Sequence, residues 1–113
     1  MEYVVKVYET KDGRFPFDEW LNELKDLQAR SKIRARLDRV RLGNLGKCDP
    51  VGDGIHELKI DFGPAYRIYF GTIGKNVILV LCANSKRRQQ KDIDKAKDYF
   101  NDFVMRGKSN GKK

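Results

Sequence analysis

Apolar and polar residues alternate in two neighbouring segments near the middle of the chain. Leu58 and Ile60 alternate with charged residues in the first segment. Ile68 and Phe70 alternate with polar residues in the second segment. A period of two is typical of a strand with one buried and one polar face. A continuous apolar run over residues 77–83 follows, as expected for a central strand. Because glycines separate the three segments, they predict an antiparallel meander.

The rest of the chain predicts one further strand and three helices. Alternation over residues 3–7 predicts an N-terminal strand. Helical spacing predicts a helix that begins at Pro16 with an apolar stripe reaching Leu27, a second over about residues 31–42, and a third over residues 89–105. Residues 43–54 are rich in turn formers and predict a loop. The predicted fold class is therefore α+β, with an antiparallel sheet made of the N-terminal strand and the meander, two N-terminal helices packed on one face, and a C-terminal helix.

Length and composition predict one globular domain. The chain has 113 residues, of which 40% are hydrophobic, which is too apolar for a disordered protein. We expect residues 1–106 to form this domain. Residues 107–113, which read GKSNGKK, have the composition of a disordered basic tail.

Side-chain alternation also predicts a candidate site. If Leu58 and Ile68 point to the core, then Lys59, Arg67 and Tyr69 share the opposite face of the sheet, which we expect to be exposed to solvent. This face is either a functional site or an ordinary polar surface. Spacing alone does not distinguish the two.

Positive charge is concentrated in two blocks. The net charge is +8, and residues 25–41 carry seven basic and two acidic side chains, whereas residues 86–97 carry six and two. Such blocks favour an acidic partner such as RNA, the ribosome or an acidic protein, although solvated helices are often charge-rich as well. Arg34 and Arg41 in the first block, and Arg87 and Arg88 in the second, are candidate nucleic-acid-binding residues together with Tyr69.

The cysteines, the single histidine and the hydropathy predict neither a metal site nor a membrane protein. Cys48 and Cys82 do not make a disulfide framework, and no set of residues has zinc-ligand spacing. Histidine is a common general acid in enzymes, but alternation turns His56 toward the Leu58 face. The apolar runs are too short for a membrane span, and the chain does not open with a secretory signal. We therefore expect a cytoplasmic protein without a cofactor.

Three stretches carry a resemblance to a known family. They read GDGIHELKIDFGPAYRIYF, VILVLCANSK and QQKDIDKAKDYF. In this order they resemble the RelE/ParE superfamily of small bacterial toxins, and most of all its HigB-like branch, the addiction module killer proteins. The resemblance implies a RelE-like fold and the toxin component of a type II toxin-antitoxin system. It also implies a metal-independent, ribosome-dependent endoribonuclease, or mRNA interferase, that cleaves mRNA and inhibits translation. Its partners would be mRNA, the ribosome and a cognate antitoxin, either an acidic or a helix-turn-helix protein.

The resemblance further implies catalytic roles for Arg67 and Lys86, and the shared sheet face adds Lys59. Arg67, in the G-P-x-Y-R motif, matches the active-site arginine of RelE-type mRNA interferases, and a guanidinium suits the charge of a phosphorane. The alternative is a simple ion pair with Asp61 or Glu57. Lys59 would act either as a base or as a second electrostatic clamp. Lys86 matches the lysine that follows the last strand in the HigB-like branch and would bind phosphate near a helix start.

Two departures from the family leave the general acid unassigned. The C-terminal catalytic tyrosine of the RelE branch has no counterpart after Lys86, since Tyr99 lies on the interior side of the last helix in sequence. The segment 84–88, NSKRR, also replaces a motif richer in Gly, Ser and Thr. Two other functions stay open: a ParE-like non-enzymatic inhibitor of DNA gyrase, and a degenerate domain that only binds its antitoxin. A shared face for Lys59 and Arg67 favours RNA cleavage.

Overall fold

A computed structural model describes the backbone of residues 2–110 and the side chains of residues 2–107. The chain forms five strands and three α-helices within this range. In chain order they are β1 (Val4–Val7), α1 (Pro16–Glu23), α2 (Leu27–Arg41), β2 (Cys48–Gly52), β3 (Ile55–Ile60), β4 (Tyr66–Ile73), β5 (Val77–Ser85), a 3-10 turn (Lys86–Arg88) and α3 (Gln89–Asn110). Among residues 2–110, none of the helices combines the length and the apolar composition that crossing a membrane requires.

The five strands form one mixed sheet in the order β1-β5-β4-β3-β2. Strands β2 to β5 are antiparallel neighbours, but β1 pairs in parallel with β5. The predicted fold class, a RelE-like antiparallel sheet of four strands, is therefore wrong, although the chain is α+β. Alternation shows which side chains of a strand face the core, but it carries no information on the direction of the neighbouring strand. The parallel pairing of β1 could not be derived from it.

Strand β2 lies within the segment that was predicted to be a loop. It pairs with β3 at one edge of the sheet, with a register shift between Pro50 and Gly52. A proline is tolerated there because an edge strand leaves one row of N–H groups without a partner strand. Short length, proline and a bulge hide the strand from a search for alternation.

Arg36 anchors the connection between α2 and β2. Its guanidinium donates hydrogen bonds to the carbonyl oxygens of Leu45, Lys47 and Lys59, at 2.6 to 2.9 Å. Only 9% of the residue is exposed, and burial lowers the pKa of the guanidinium. A Cβ atom at Gly46 would lie 2.7 Å from Nη2 of Arg36, so a side chain is excluded there. Arg36 thus serves the fold, although in sequence it is one of the seven basic residues of the first basic block.

The boundary between the first two helices also differs from the prediction. Helix α1 ends at Glu23, and α2 begins at Leu27 because the Asp26 carboxylate accepts hydrogen bonds from the backbone N–H groups of Gln28 and Ala29. The apolar stripe predicted to reach Leu27 therefore stops short of it. Leu27 is 68% exposed.

Apolar side chains fill both faces of the sheet. Helices α1 and α2 cover one face, where Leu58, Ile68 and Phe70 are buried together with Ile33 and other α2 residues. Helix α3 covers the other face, where Tyr69 and Cys82 are buried with Ile93 and Ala96. Burial raises the pKa of the Cys82 thiol to about 12, as expected for a cysteine that serves as a core residue.

Helix α3 lies close to the sheet at Gly71 of β4. A Cβ atom at this position would lie 2.6 Å from Cε1 of Phe100, so the phenyl ring occupies the space of the missing side chain. The helix continues to Asn110, beyond Met105, where the sequence predicts its end. Residues 107–110 of the predicted tail are thus helical, and residues 111–113 lie outside the described part of the chain.

We expect Gly71→Ala to destabilise the protein by about 1–3 kcal/mol, because the added methyl group overpacks the contact between β4 and α3. Urea denaturation measures the change in the free energy of unfolding. Gly107→Ala is the matched control, since a Cβ atom there meets nothing within 4 Å. It should leave stability unchanged or raise it by up to about 1 kcal/mol. Equal stability of Gly71→Ala and wild type would show that Phe100 does not constrain α3.

Candidate functional site

The pairing register places three polar side chains in one row across the sheet. Lys59 of β3 lies directly opposite Arg67 of β4, which in turn lies opposite Asn84 of β5. Directly opposed residues point to the same face, and this is the face covered by α3, where the Asn84 amide donates to Asp92 at 3.3 Å. We call these three residues the polar row. It places two of the three predicted catalytic residues side by side.

Arg67 is enclosed rather than exposed. Only 7% of the residue is accessible, so the expectation that its face is open to solvent is wrong at this position. Its Nη1 donates to the Tyr66 carbonyl at 3.1 Å, and its Nε lies 3.5 Å from Oε1 of Glu57. Of the two ion pairs that the sequence left open, the structure has the one with Glu57. The Nε atom has no hydrogen-bond partner among the described residues.

Glu57 is a site residue that the sequence reasoning missed. It is 2% exposed and packs beside Arg67, and its Oε2 accepts a hydrogen bond of 2.6 Å from Nε2 of Gln89 at the start of α3. A buried carboxylate next to a guanidinium is a candidate proton acceptor. The available signal was its spacing, because residues 57 and 59 of one strand share a face. The sequence indicates Glu57 only as an ion-pair partner of Arg67.

Lys59 is held by a carboxylate of the neighbouring strand. Its Nζ lies 2.5 Å from Oδ2 of Asp49 in β2. The hydrogen bond to Asp49 and the charge of that carboxylate raise the pKa of Lys59. A lysine with a raised pKa stays protonated at neutral pH, so this geometry favours an electrostatic clamp over a base.

Tyr69 lies next to the polar row but is fully buried. It is opposite Glu57 in β3 and has 0% exposure. Burial, together with the charge of Glu57, raises the pKa of its hydroxyl. The hydroxyl has no hydrogen-bond partner among the described residues. Since α3 covers this side chain, Tyr69 has no surface with which to contact RNA in this conformation.

The first three residues of the second basic block follow β5 directly, next to the polar row. Lys86, Arg87 and Arg88 form the 3-10 turn between β5 and α3, and all three are exposed. The Lys86 N–H donates to the Ala65 carbonyl at 3.0 Å, which holds this turn against the start of β4. None of the three cations makes an ion pair within residues 2–107. They are available for an anionic ligand.

Asp61 lies among several of these cations. Lys47 donates to its Oδ2 at 2.8 Å, and this hydrogen bond holds the pKa of the carboxyl below its usual value. The positive charges of Lys47, Arg67 and Lys86 lower the pKa further. The cations of the site thus converge around one exposed carboxylate.

The other candidates lie apart from the polar row. Arg34 and Arg41 are exposed on α2, which packs on the opposite face of the sheet, and Arg41 is bound to Asp38 at 2.6 Å. His56 is opposite Phe70 on that face, and the two rings stack at 5.3 Å. Tyr99 of α3 stacks on Tyr8 at 4.9 Å. None of these residues joins Arg67.

An uncharacterized protein of Haemophilus influenzae is 46% identical to this chain over 81 residues, which span 72% of this chain and 82% of that protein. This chain belongs to the family of that protein. No protein-family model matches the chain.

Proposed function

We propose that this chain is the toxin component of a toxin-antitoxin module, a metal-independent endoribonuclease that cleaves mRNA on the ribosome in the cytoplasm. The observation that carries the proposal is the polar row. It sets Lys59 beside Arg67 on one face of the sheet, close to the exposed cations of residues 86–88. The motifs that resemble the RelE/ParE superfamily support the same function, and the fold class does not enter the argument.

The polar row and the neighbouring Glu57 offer groups for two of the three tasks of metal-independent RNA cleavage. The 2′-hydroxyl must lose a proton, the phosphorane needs stabilisation, and the leaving 5′-oxygen must gain a proton. Arg67 and the protonated Lys59 stabilise the phosphorane, and Glu57 accepts the proton. Lys86 binds a neighbouring phosphate. We assign no side chain as general acid: solvent water protonates the leaving 5′-oxygen, and positioning of the mRNA by the ribosome supplies the remaining rate acceleration.

Phosphate binding requires an exchange of partners at both cations. Because Arg67 and Glu57 are only 7% and 2% exposed, it also requires the start of α3, which Gln89 holds against Glu57, to move aside. Lys59 is paired with Asp49, and Arg67 is paired with Glu57. The Arg67 pair is the weaker one by geometry, since its Nε lies 3.5 Å from the carboxylate and makes no hydrogen bond with it. A phosphate oxygen that bonds to this nitrogen gains an unused donor. Replacing the Glu57 carboxylate by a phosphate at Arg67 therefore costs less free energy than the loss of a hydrogen-bonded ion pair would.

The same ion pairs favour a second candidate, a non-enzymatic protein. Two cations that each have a carboxylate partner form a balanced network, and a network of this kind can be purely structural. In that case the chain acts by binding alone, as a ParE-like inhibitor of DNA gyrase or as a domain that only binds its antitoxin. For the endoribonuclease, the gyrase inhibitor and the antitoxin-binding domain alike, the antitoxin is an acidic segment or a helix-turn-helix protein that covers the exposed cations of this chain.

Expression of the wild-type chain in growing bacteria distinguishes these functions. We expect new 5′ ends within mRNA coding regions and unchanged plasmid supercoiling, because the proposed target is mRNA. Mapping of RNA ends and plasmid topology in the same culture provide the two measurements. Intact mRNA with altered supercoiling would replace the proposal with gyrase inhibition. If both stay unchanged while the protein accumulates, the chain is an antitoxin-binding domain.

A further inference from the structure

Two adjoining clefts form a continuous groove between α2 and the end of β3. The larger cleft, of about 450 Å³, contains Lys32 and Phe62, and the smaller one, of about 250 Å³, contains Lys47 and Lys59. Both clefts are lined by Arg36, Arg39 and Asp61. We call this feature the α2 groove. It runs from Phe62 at one end to Lys59 of the polar row at the other.

The α2 groove is positively charged along its length. Three of the residues that line it are exposed cations: Lys32, Arg39 and Lys47. Arg36 is used by backbone carbonyls and does not count among them. Asp61 is the one carboxylate among the lining residues, and it is bound to Lys47. Within residues 2–107, neither Lys32 nor Arg39 makes an ion pair. These two cations have no anionic partner of their own.

An aromatic ring lies at the end of the groove. Phe62 is half-buried in the turn between β3 and β4, and it also borders a shallow cleft with Leu27 and Ser31. The Lys32 ammonium lies 5.0 Å from the centre of the ring. A basic groove that tracks a phosphate backbone, with an aromatic ring on which a base stacks, is the recurring arrangement for single-stranded nucleic acid. The α2 groove has both features: exposed cations along its length and the ring of Phe62 at its end.

We propose that the α2 groove binds a single-stranded RNA segment, with phosphates on Lys32, Arg39 and Lys47 and one base stacked on Phe62. Lys59 lines the end of the groove, but its ammonium is held by Asp49 on the other face of the sheet, so the groove is a binding surface separate from Arg67. The choice of RNA as the ligand rests on the proposed function. The binding itself does not require cleavage. A duplex fits poorly, since its bases are stacked on one another and offer no free face to Phe62.

The test measures the affinity of the full chain for a fluorescent 2′-O-methyl RNA of about ten nucleotides, a length within the usual site size. This probe lacks the 2′-hydroxyl nucleophile and cannot be cleaved. We expect Phe62→Leu to weaken binding by about tenfold, because leucine preserves apolar packing but removes the stacking surface. Phe15→Leu is the matched control, since Phe15 is 38% exposed and lies outside the groove. It should bind as wild type does.

The cations are tested through the dependence of affinity on salt. Arg39→Gln should weaken binding and reduce the slope of log affinity against log salt by about 0.7, which corresponds to one phosphate contact on a single strand. Lys75→Gln removes the same charge from an exposed turn outside the groove and should leave the slope unchanged. Thermal melting verifies that each variant is folded. If Phe62→Leu does not fold, the proposal is tested by Arg39→Gln and by comparing the affinities for single-stranded and duplex RNA.

Equal affinity for the single strand and for duplex RNA of the same sequence would overturn the proposal. So would wild-type binding by both Phe62→Leu and Arg39→Gln. The RNA-binding groove and the endoribonuclease activity are two proposals that can be refuted separately. If the wild-type protein cleaves mRNA in cells but Phe62→Leu and Arg39→Gln bind the RNA probe normally, only the proposal that the groove binds RNA is refuted. Groove binding as predicted without any mRNA cleavage refutes the endoribonuclease alone.

Discussion

Replacing Arg67 by alanine is expected to lower the rate of mRNA cleavage by about 10²-fold or more. The guanidinium is the group of the polar row that matches the charge and geometry of a phosphorane, and loss of one such donor costs about 3 kcal/mol of transition-state stabilisation. Arg67→Lys should restore little activity, because a point charge does not reproduce two parallel donors. Single-turnover cleavage of mRNA on purified ribosomes measures the effect.

Arg67 is buried, so this prediction needs a control for folding. The substitution leaves the Glu57 carboxylate, which is 2% exposed, without its cation. An uncompensated buried charge destabilises a protein by several kcal/mol. The double variant Glu57→Gln with Arg67→Ala removes both charges. Comparing its thermal stability with that of Arg67→Ala measures the cost of the unpaired carboxylate, whereas its cleavage rate is not used because Glu57 itself is assigned the proton transfer. Arg14→Ala, which breaks an exposed ion pair with Glu19, should cleave at the wild-type rate. A folded Arg67→Ala variant that cleaves as fast as wild type would exclude Arg67 from the chemistry.

The part of the site that could be predicted is the part that depends on neighbouring residues of a strand. Strict alternation in β3 and β4 places Lys59, Arg67 and Tyr69 on one face, and the register has them there. The role of these residues stays a prediction. Their exposure was not predictable in this way, since it depends on α3. This helix docks over Tyr69 through Ile93 and Ala96, which are more than 20 residues away in sequence.

The roles of Arg36 and Glu57 were also missed because they depend on residues that are distant in sequence. In sequence each is a charged residue in an amphipathic element, and such residues are usually solvated. Their burial is compensated by distant partners. The carbonyl of Lys59 is 23 residues from Arg36, and the amide of Gln89 is 32 residues from Glu57. Local patterns do not contain these contacts. The edge strand β2 and the parallel pairing of β1 escaped prediction for the same reason.

Glu57→Gln is expected to abolish most mRNA cleavage without weakening RNA binding. If Glu57 accepts the proton of the 2′-hydroxyl, its loss costs about 10²- to 10⁴-fold in rate. Glutamine has the same shape, and its carbonyl oxygen can still accept the hydrogen bond from Gln89, so the fold should persist. The variant also removes the anion that competes with phosphate for Arg67. Affinity for uncleavable RNA should therefore stay equal or rise.

Asp49→Asn is the matched control for the Glu57 variant. It removes the carboxylate that lies 2.5 Å from Lys59, but this carboxylate is exposed and pairs with the clamp rather than with Arg67. We expect its cleavage rate to remain within a few-fold of wild type. A Glu57→Gln variant that cleaves faster than wild type would mean that Glu57 only restrains Arg67. In that case the proton acceptor lies elsewhere, and the buried ion pair keeps Arg67 inactive until RNA displaces it. The opposite result, slow cleavage with undiminished RNA affinity, assigns the proton transfer to Glu57, because loss of an ion pair alone would not separate binding from rate.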